Sequence, residues 1–147
     1  MSLSLPNPQA VADALENLLD RAAVHPFKML SAYVWHDGPL ELYARALDGA
    51  SALRRYALSL EPGTAYDHTT PCKALVISNI TIADAFQHQG FLTRLLELVE
   101  SMPGLHFIEF ESVVSPPLNA WLRTRGYTVR VSDAILVEHL IKQLRPH

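Results

Sequence analysis

Ile80-Thr81-Ile82-Ala83-Asp84-Ala85-Phe86-Gln87-His88-Gln89-Gly90-Phe91-Leu92-Thr93-Arg94-Leu95-Leu96 is the stretch whose reading decides the fold. It begins at the end of a run rich in Val and Ile, Lys73 to Ile82, the strongest predicted strand in the chain. It passes through a short loop into a helix whose apolar positions Leu92, Leu95, Leu96, Val99 and Met102 recur at spacings of three and four. Thr93, Arg94, Glu97 and Glu100 form the outer face of that helix, and Pro103-Gly104 ends it. Backbone N–H groups between Gln87 and Thr93 then point out of a helix N-terminus without intrahelical partners. With the helix dipole they make an anion site suited to a phosphate or pyrophosphate, and Gly90 lets a ligand approach the main chain closely.

Downstream, Leu105 to Val114 reads as a strand, Ser115-Pro116-Pro117 starts a short helix through Arg125, and Gly126 closes it. Tyr127 to Leu140 holds either one long strand or two short ones turning at Ser132-Asp133. Upstream, Asn7-Pro8 caps a first helix with Val11, Leu15, Leu18, Leu19 and Ala22 on one face, ending near His25-Pro26. Met29 to Trp35, Leu40 to Leu47 and Ala52 to Leu60 read as three strands of a β-meander, and the segment from Glu61 to Pro71 as a loop. The expected fold class is α/β (α+β), a mixed, mostly antiparallel sheet flanked by helices with one strand–helix–strand crossover. No repeat, low-complexity stretch or long linker divides it, so residues 1–147 are expected to form one domain.

The bulk numbers narrow the classes. Hydrophobic residues are 49% and charged residues 18% of the chain, enough apolar surface for a packed core and too little charge for disorder. A net charge of −3 does not suit a duplex-binding surface, so no nucleic-acid partner is expected. The most apolar stretch, Ala74 to Ala83, is far shorter than a membrane span, and no membrane partner is expected. One cysteine, Cys72, allows no internal disulfide, and the start of the chain lacks a signal-peptide pattern; both suit a cytoplasmic protein. The seven histidines show no pair at ligand spacing, so no metal is expected.

The strand–loop–helix resembles the cofactor motif of the GCN5-related N-acetyltransferase family, R/Q-x-x-G-x-G/A between a strand and an amphipathic helix. Gln87 stands at the R/Q place, Gly90 at the first glycine, Leu95-Leu96 at the apolar pair, and Ile82 at the hydrophobic position five before Gln87. Asn119-Ala120-Trp121-Leu122-Arg123-Thr124-Arg125-Gly126-Tyr127 resembles the second motif of the family, and the match covers Lys73 to Leu140. The resemblance implies an acyl-CoA N-acyltransferase fold with acetyl-CoA as co-substrate and an amine, on a small molecule or a protein, as acceptor. It implies that Gln87, His88, Gln89, Gly90, Phe91, Leu92 and Thr93 hold the pyrophosphate. It implies further that the main chain of Ile80, Thr81 and Ile82 pairs with the pantetheine arm, and that the splay towards Leu105–Val114 admits the thioester.

Two positions depart from the pattern. Leu92 replaces the second Gly or Ala, where its side chain is expected to crowd the phosphates, and Leu122 replaces the tyrosine that often protonates the leaving thiolate. Hence there is an alternative: a catalytically weak member that binds acyl-CoA as a sensor or interaction domain. For a general base, Glu109 and Glu111 share one strand face beside the expected cleft, and Asp67 with His68 form a second candidate pair. Tyr127 is expected in the core, Cys72 as a buried small hydrophobe, and Arg54, Arg55, Arg123 and Arg125 as solvated charges. The C-terminal strands would leave an open edge, through which a homodimer is expected.

Overall fold

The computed structural model describes residues 4–57, 72–83, 87, 90–113, 115–130 and 138–144. In chain order the elements are α1 (Pro8–Ala23), β1 (Met29–Trp35), β2 (Leu40–Asp48), α2 (Ala50–Tyr56), β3 (Lys73–Ile82), α3 (Phe91–Glu100), β4 (Phe107–Phe110), α4 (Pro116–Thr124), β5 (Thr128–Val129) and β6 (Leu140–Gln143). The strands form one sheet in the order β1-β2-β3-β4-β6-β5, with β3 and β4 parallel and the other pairs antiparallel. The parallel pair is joined through α3, as a crossover requires.

Local chemistry starts the helices where the sequence places them. Asn7 caps α1 by accepting from Gln9 N at 2.8 Å, with Pro8 at the first turn, and Ser115 accepts from Leu118 N at 3.4 Å to open α4. The buried stripe of α1 is Val11, Ala12, Leu15, Leu18, Leu19 and Ala22. With Phe91, Leu95, Leu96 and Val99 of α3 it covers one sheet face, made by Leu40, Leu42, Ala44, Ala46, Leu75, Ile77, Ile108 and Phe110. Each fully buried Leu or Ile there contributes roughly 1.5–3 kcal/mol. The opposite face has a smaller cluster in which Ala52 and Tyr56 of α2 lie over Leu47, Ala74, Val76, Phe107 and Ile141.

Three expectations change. Ala52 to Tyr56 is helical, so the first three predicted strands reduce to the hairpin of β1 and β2, and β2 pairs next with β3. Gly49 turns the chain there at φ 57° and ψ −127°, a conformation essentially confined to glycine, and its N–H donates to Cys72 O at 2.8 Å. Good helix formers follow, and Ala52 and Tyr56, four residues apart, supply the buried side. β4 is shorter than Leu105 to Val114 because Ser112 sits at φ 55° and turns the chain away; Val114 itself lies outside the described residues. The tail forms two short strands, β5 and β6, and β6 runs past Leu140 to Gln143; the expected turn at Ser132-Asp133 and the loop of residues 61–71 lie outside the described residues.

Candidate active site

Burial along β3 shows where the sheet stops being covered. Ala74, Leu75, Val76 and Ile77 are buried in succession because helices lie on both faces, whereas from Asn79 to Ile82 exposed and half-buried residues alternate. At the same level β3 loses β4. The two pair from Ala74↔Phe107 to Ile77↔Phe110, and Glu111 N donates to Ile77 O at 3.0 Å. Ser112 N then donates to His139 Nδ1 at 2.9 Å and Val113 N to Glu138 O at 2.9 Å, so this chain leaves β3 for the strand beyond it. β2 stays paired with β3 up to Ile82, across a register shift that leaves Ser78 as the extra residue. The result is a wedge with the β3 main chain of Ile80, Thr81 and Ile82 along one side.

α3 begins at the same end of β3. Gly90 caps it in the left-handed conformation (φ 77°, ψ 3°), and the first intrahelical bond runs from Arg94 N to Gly90 O at 3.0 Å. The amides of Phe91, Leu92 and Thr93 therefore precede the ladder, and no acidic side chain occupies the first turn. Gln87 folds back, its Nε2 donating to Ile82 O at 2.9 Å. Phe91 is buried and Leu92 is half-buried against the main core. His88 and Gln89 lie outside the described residues, as do Asp67 and His68.

The two glutamates have different surroundings. Glu109 is 0% exposed; Arg55 meets it with both arms, Nε to Oε1 at 2.8 Å and NH2 to Oε2 at 2.9 Å, and Arg130 Nε lies 3.3 Å from Oε2. A carboxylate so enclosed presents no exposed surface of its own to the wedge. Glu111, at the mouth of the wedge, keeps 21% of its side chain exposed and accepts from Arg55 NH2 at 2.8 Å, with Arg45 NH1 at 3.9 Å. Burial opposes its ionisation, but the hydrogen bond from Arg55, the nearby Ser78 hydroxyl and the charges of Arg45 and Arg55 outweigh that and hold its pKa below the ordinary value. Tyr56 lies beside this cluster, its hydroxyl pushed well up by burial and by the Glu109 charge.

Other side chains settle into structural roles. Leu122 is fully buried in the main core, and Tyr127 packs edge-on against Phe110 with ring centroids 5.6 Å apart. Tyr127 OH and Lys142 Nζ both reach Glu100 Oε1, at 3.3 Å and 3.2 Å. Arg123, solvated as expected, pairs at the surface with Glu138 at 2.8 Å, whereas Arg125 is half-buried and lies 3.8 Å from Glu100. Cys72 is buried, and burial followed by the Asp48 charge pushes its thiol up to about 11, so it stays protonated and unreactive. No group of three or more metal-ligating side chains occurs among the described residues, and no described helix is long and apolar enough to cross a membrane.

Arg45, Arg55 and Arg130 were not singled out as site residues by the sequence. Arg55, expected as a solvated charge, is instead largely enclosed, 19% exposed, because α2 brings it against the buried Glu109.

No family profile and no curated protein sequence matches the chain. Solved structures do. Arabidopsis thaliana NAA60 in complex with a bisubstrate analogue aligns with a TM-score of 0.52 at 8% identity, over 98% of this chain and 99% of that one. NAA60 in complex with acetyl-CoA aligns with 0.52 at 9% identity, over 97% and 99%. A bacterial toxin aligns with 0.48 at 10% identity over 74% of this chain and only 61% of the toxin, so the chain spans less than two thirds of that protein's length. AtaT complexed with acetyl-methionyl-tRNAfMet aligns with 0.46 at 12% identity, over 96% and 85%. The likeness to NAA60 shows the fold, that of the GCN5-related N-acetyltransferases.

Proposed function

We propose that the chain is an acetyl-CoA-dependent N-acetyltransferase acting on an amine. The observation that carries this is the wedge between β3 and β4 with the Gly90-capped N-terminus of α3 at the same end, in a fold shared with NAA60 bound to acetyl-CoA. Acetyl-CoA supplies an activated acyl group as a thioester. The amides of Phe91, Leu92 and Thr93 and the loop from Gln87 suit its pyrophosphate, and the β3 edge at Ile80, Thr81 and Ile82 suits an amide-bearing arm. In the overall transfer the amine nitrogen bonds to the acyl carbon, the carbon–sulfur bond breaks, and the proton lost by the amine is matched by one gained by the thiolate.

Glu111 is the base in this reading. Its lowered pKa keeps it charged at neutral pH but makes it a modest base, which favours taking the proton through a water. Glu109 acts as a positioning residue, fixing the guanidinium of Arg55 that in turn orients Glu111. Thiolate protonation falls to water, because Leu122 is sealed in the core. The same leucine favours the second reading, an acyl-CoA sensor with little transfer activity. A cytoplasmic location completes the proposal, with a homodimer formed through the edge strand β5, where Val129 is exposed.

Calorimetric titration with acetyl-CoA, with CoA and a Gly90→Glu variant as controls, tests the site. Micromolar binding lost in the folded variant is the expected result; no binding to the folded wild-type chain overturns it. Rates over small amines, peptides and aminoacyl-tRNA then separate the enzyme from the sensor, which would bind acetyl-CoA and modify none of them.

A further inference from the structure

The sheet face that carries Glu111 also carries an unassigned cavity of about 350 Å³, walled by Phe27, Met29, Leu47, Arg45, Arg54 and Arg55. That volume is at the small end of ligand cavities and suits a metabolite. Among the described residues its charge is unbalanced. Arg45, Arg55 and Arg130 gather around two carboxylates, Glu109 and Glu111, and Arg54 adds a further guanidinium to the cavity wall. Arg55 and Arg130 are taken up by Glu109, and Arg55 also by Glu111. Arg45 keeps only a 3.9 Å contact with Glu111, and the exposed Arg54 makes no ion pair with any described residue. Arg45 thus borders both Glu111 and the cavity, and Phe27, 77% exposed, offers an apolar wall beside the cationic one.

We propose that the acceptor is a small amine that also bears an anionic group, carboxylate or phosphate. Its nitrogen lies at Glu111 and its anion is seated on Arg45 and Arg54. This rests on the acetyltransferase reading. A guanidinium matches either anion, and Arg45, 3.9 Å from Glu111 and in the cavity wall, links the two ends.

Steady-state acetylation of propylamine, β-alanine and aminoethyl phosphate reads this directly, with Arg54→Ala and Arg54→Glu variants checked for native circular dichroism. Amines with an anion should show kcat/KM about 10-fold or more above propylamine, since a charged hydrogen bond is worth at least that factor. That ratio should fall about tenfold in Arg54→Ala, through KM, and invert in Arg54→Glu. The preference for β-alanine or for aminoethyl phosphate identifies the anion. Equal rates for propylamine and both anionic amines overturn the proposal, as does a ratio insensitive to Arg54. If no amine is acetylated, the transferase reading fails, and calorimetry with inorganic phosphate and β-alanine judges the cavity by itself. Binding weakened by Arg54→Glu supports the anion seat; no binding of either probe overturns it.

Discussion

The two faces of the sheet are closed by different means. On one, α1 and α3 cover a field of Leu, Ile, Ala and Phe, with Tyr127, Lys142 and Glu100 as a polar group towards β6. On the other, the short α2 covers only Leu47, Ala74, Val76, Phe107 and Ile141; beyond it come Glu109, Glu111, Arg45, Tyr43 and the half-open Tyr33. The first face stabilises by area, non-directionally. The second holds charges in a partly dry setting where each must meet a partner, and it is the face left open for chemistry.

Substitutions on the two faces should show that difference most clearly at Glu109. Glu109→Gln leaves Arg55 and Arg130 without their buried counter-charge and should cost about 4 kcal/mol by urea denaturation. Combining it with Arg55→Met and Arg130→Leu should recover most of the loss, since a hydrophobic replacement of a buried ion cluster is often neutral. A comparable loss, about 3 kcal/mol, is expected for Leu15→Ala on the apolar face, but there no second deletion restores it, because the cavity remains. If the Glu109 triple variant stays as unstable as the single one, the charged face is held by packing and the comparison fails.

Smaller effects sharpen the same contrast. Gly49→Ala, at a backbone conformation that disfavours any Cβ although nothing lies within 4 Å of one, should cost about 2 kcal/mol and loosen α2 from the sheet. Hydrogen exchange should then rise in residues 50–56 and leave α1 unchanged. The smallest effect is a pH dependence. Burial, then the nearby Lys73 charge, lowers the pKa of His106 below its usual 6.5, only partly offset by its backbone hydrogen bond near Gly104 and the Asp48 charge, and its Nδ1 accepts from Lys73 N at 3.1 Å. The unfolded chain therefore takes a proton first. Stability should be complete above pH 6.5 and decline as pH falls from there towards the lowered native value. His106→Asn, which keeps an acceptor for Lys73 N, should flatten that part of the profile.

Much of this was legible because it is local. Asn7 and Ser115 cap their helices through bonds two and three residues long, and the pattern from Leu92 to Met102 is a property of one helix. β3 runs from Lys73 to Ile82 as its composition implies, and Gly90 adopts the left-handed cap that the loop needs. The misread residues were Ala52 to Tyr56, within the strand expected over Ala52 to Leu60. Alternation and helical spacing both fit so short a run, and only the turn at Gly49 and the cover that Tyr56 gives Phe107, ring on ring at 4.4 Å, decide for the helix.

The candidate site divides along the same line. Period-two spacing in β4 put Glu109 and Glu111 on one face, which they share. It could not tell which of them is closed off, because the closing groups, Arg55 and Arg130, are 54 and 21 residues away in the chain. By itself the sequence determined most of the elements, the wedge-forming strand and helix among them, and the residue types near the wedge. Tertiary structure alone decided that Glu109 is enclosed, that Glu111 stays accessible, and that Arg45 and Arg54 flank a cavity. Caps and periodicities are set by bonds and rotations within a few residues, whereas the environment of a charge is set by whatever the folded chain brings against it from far away.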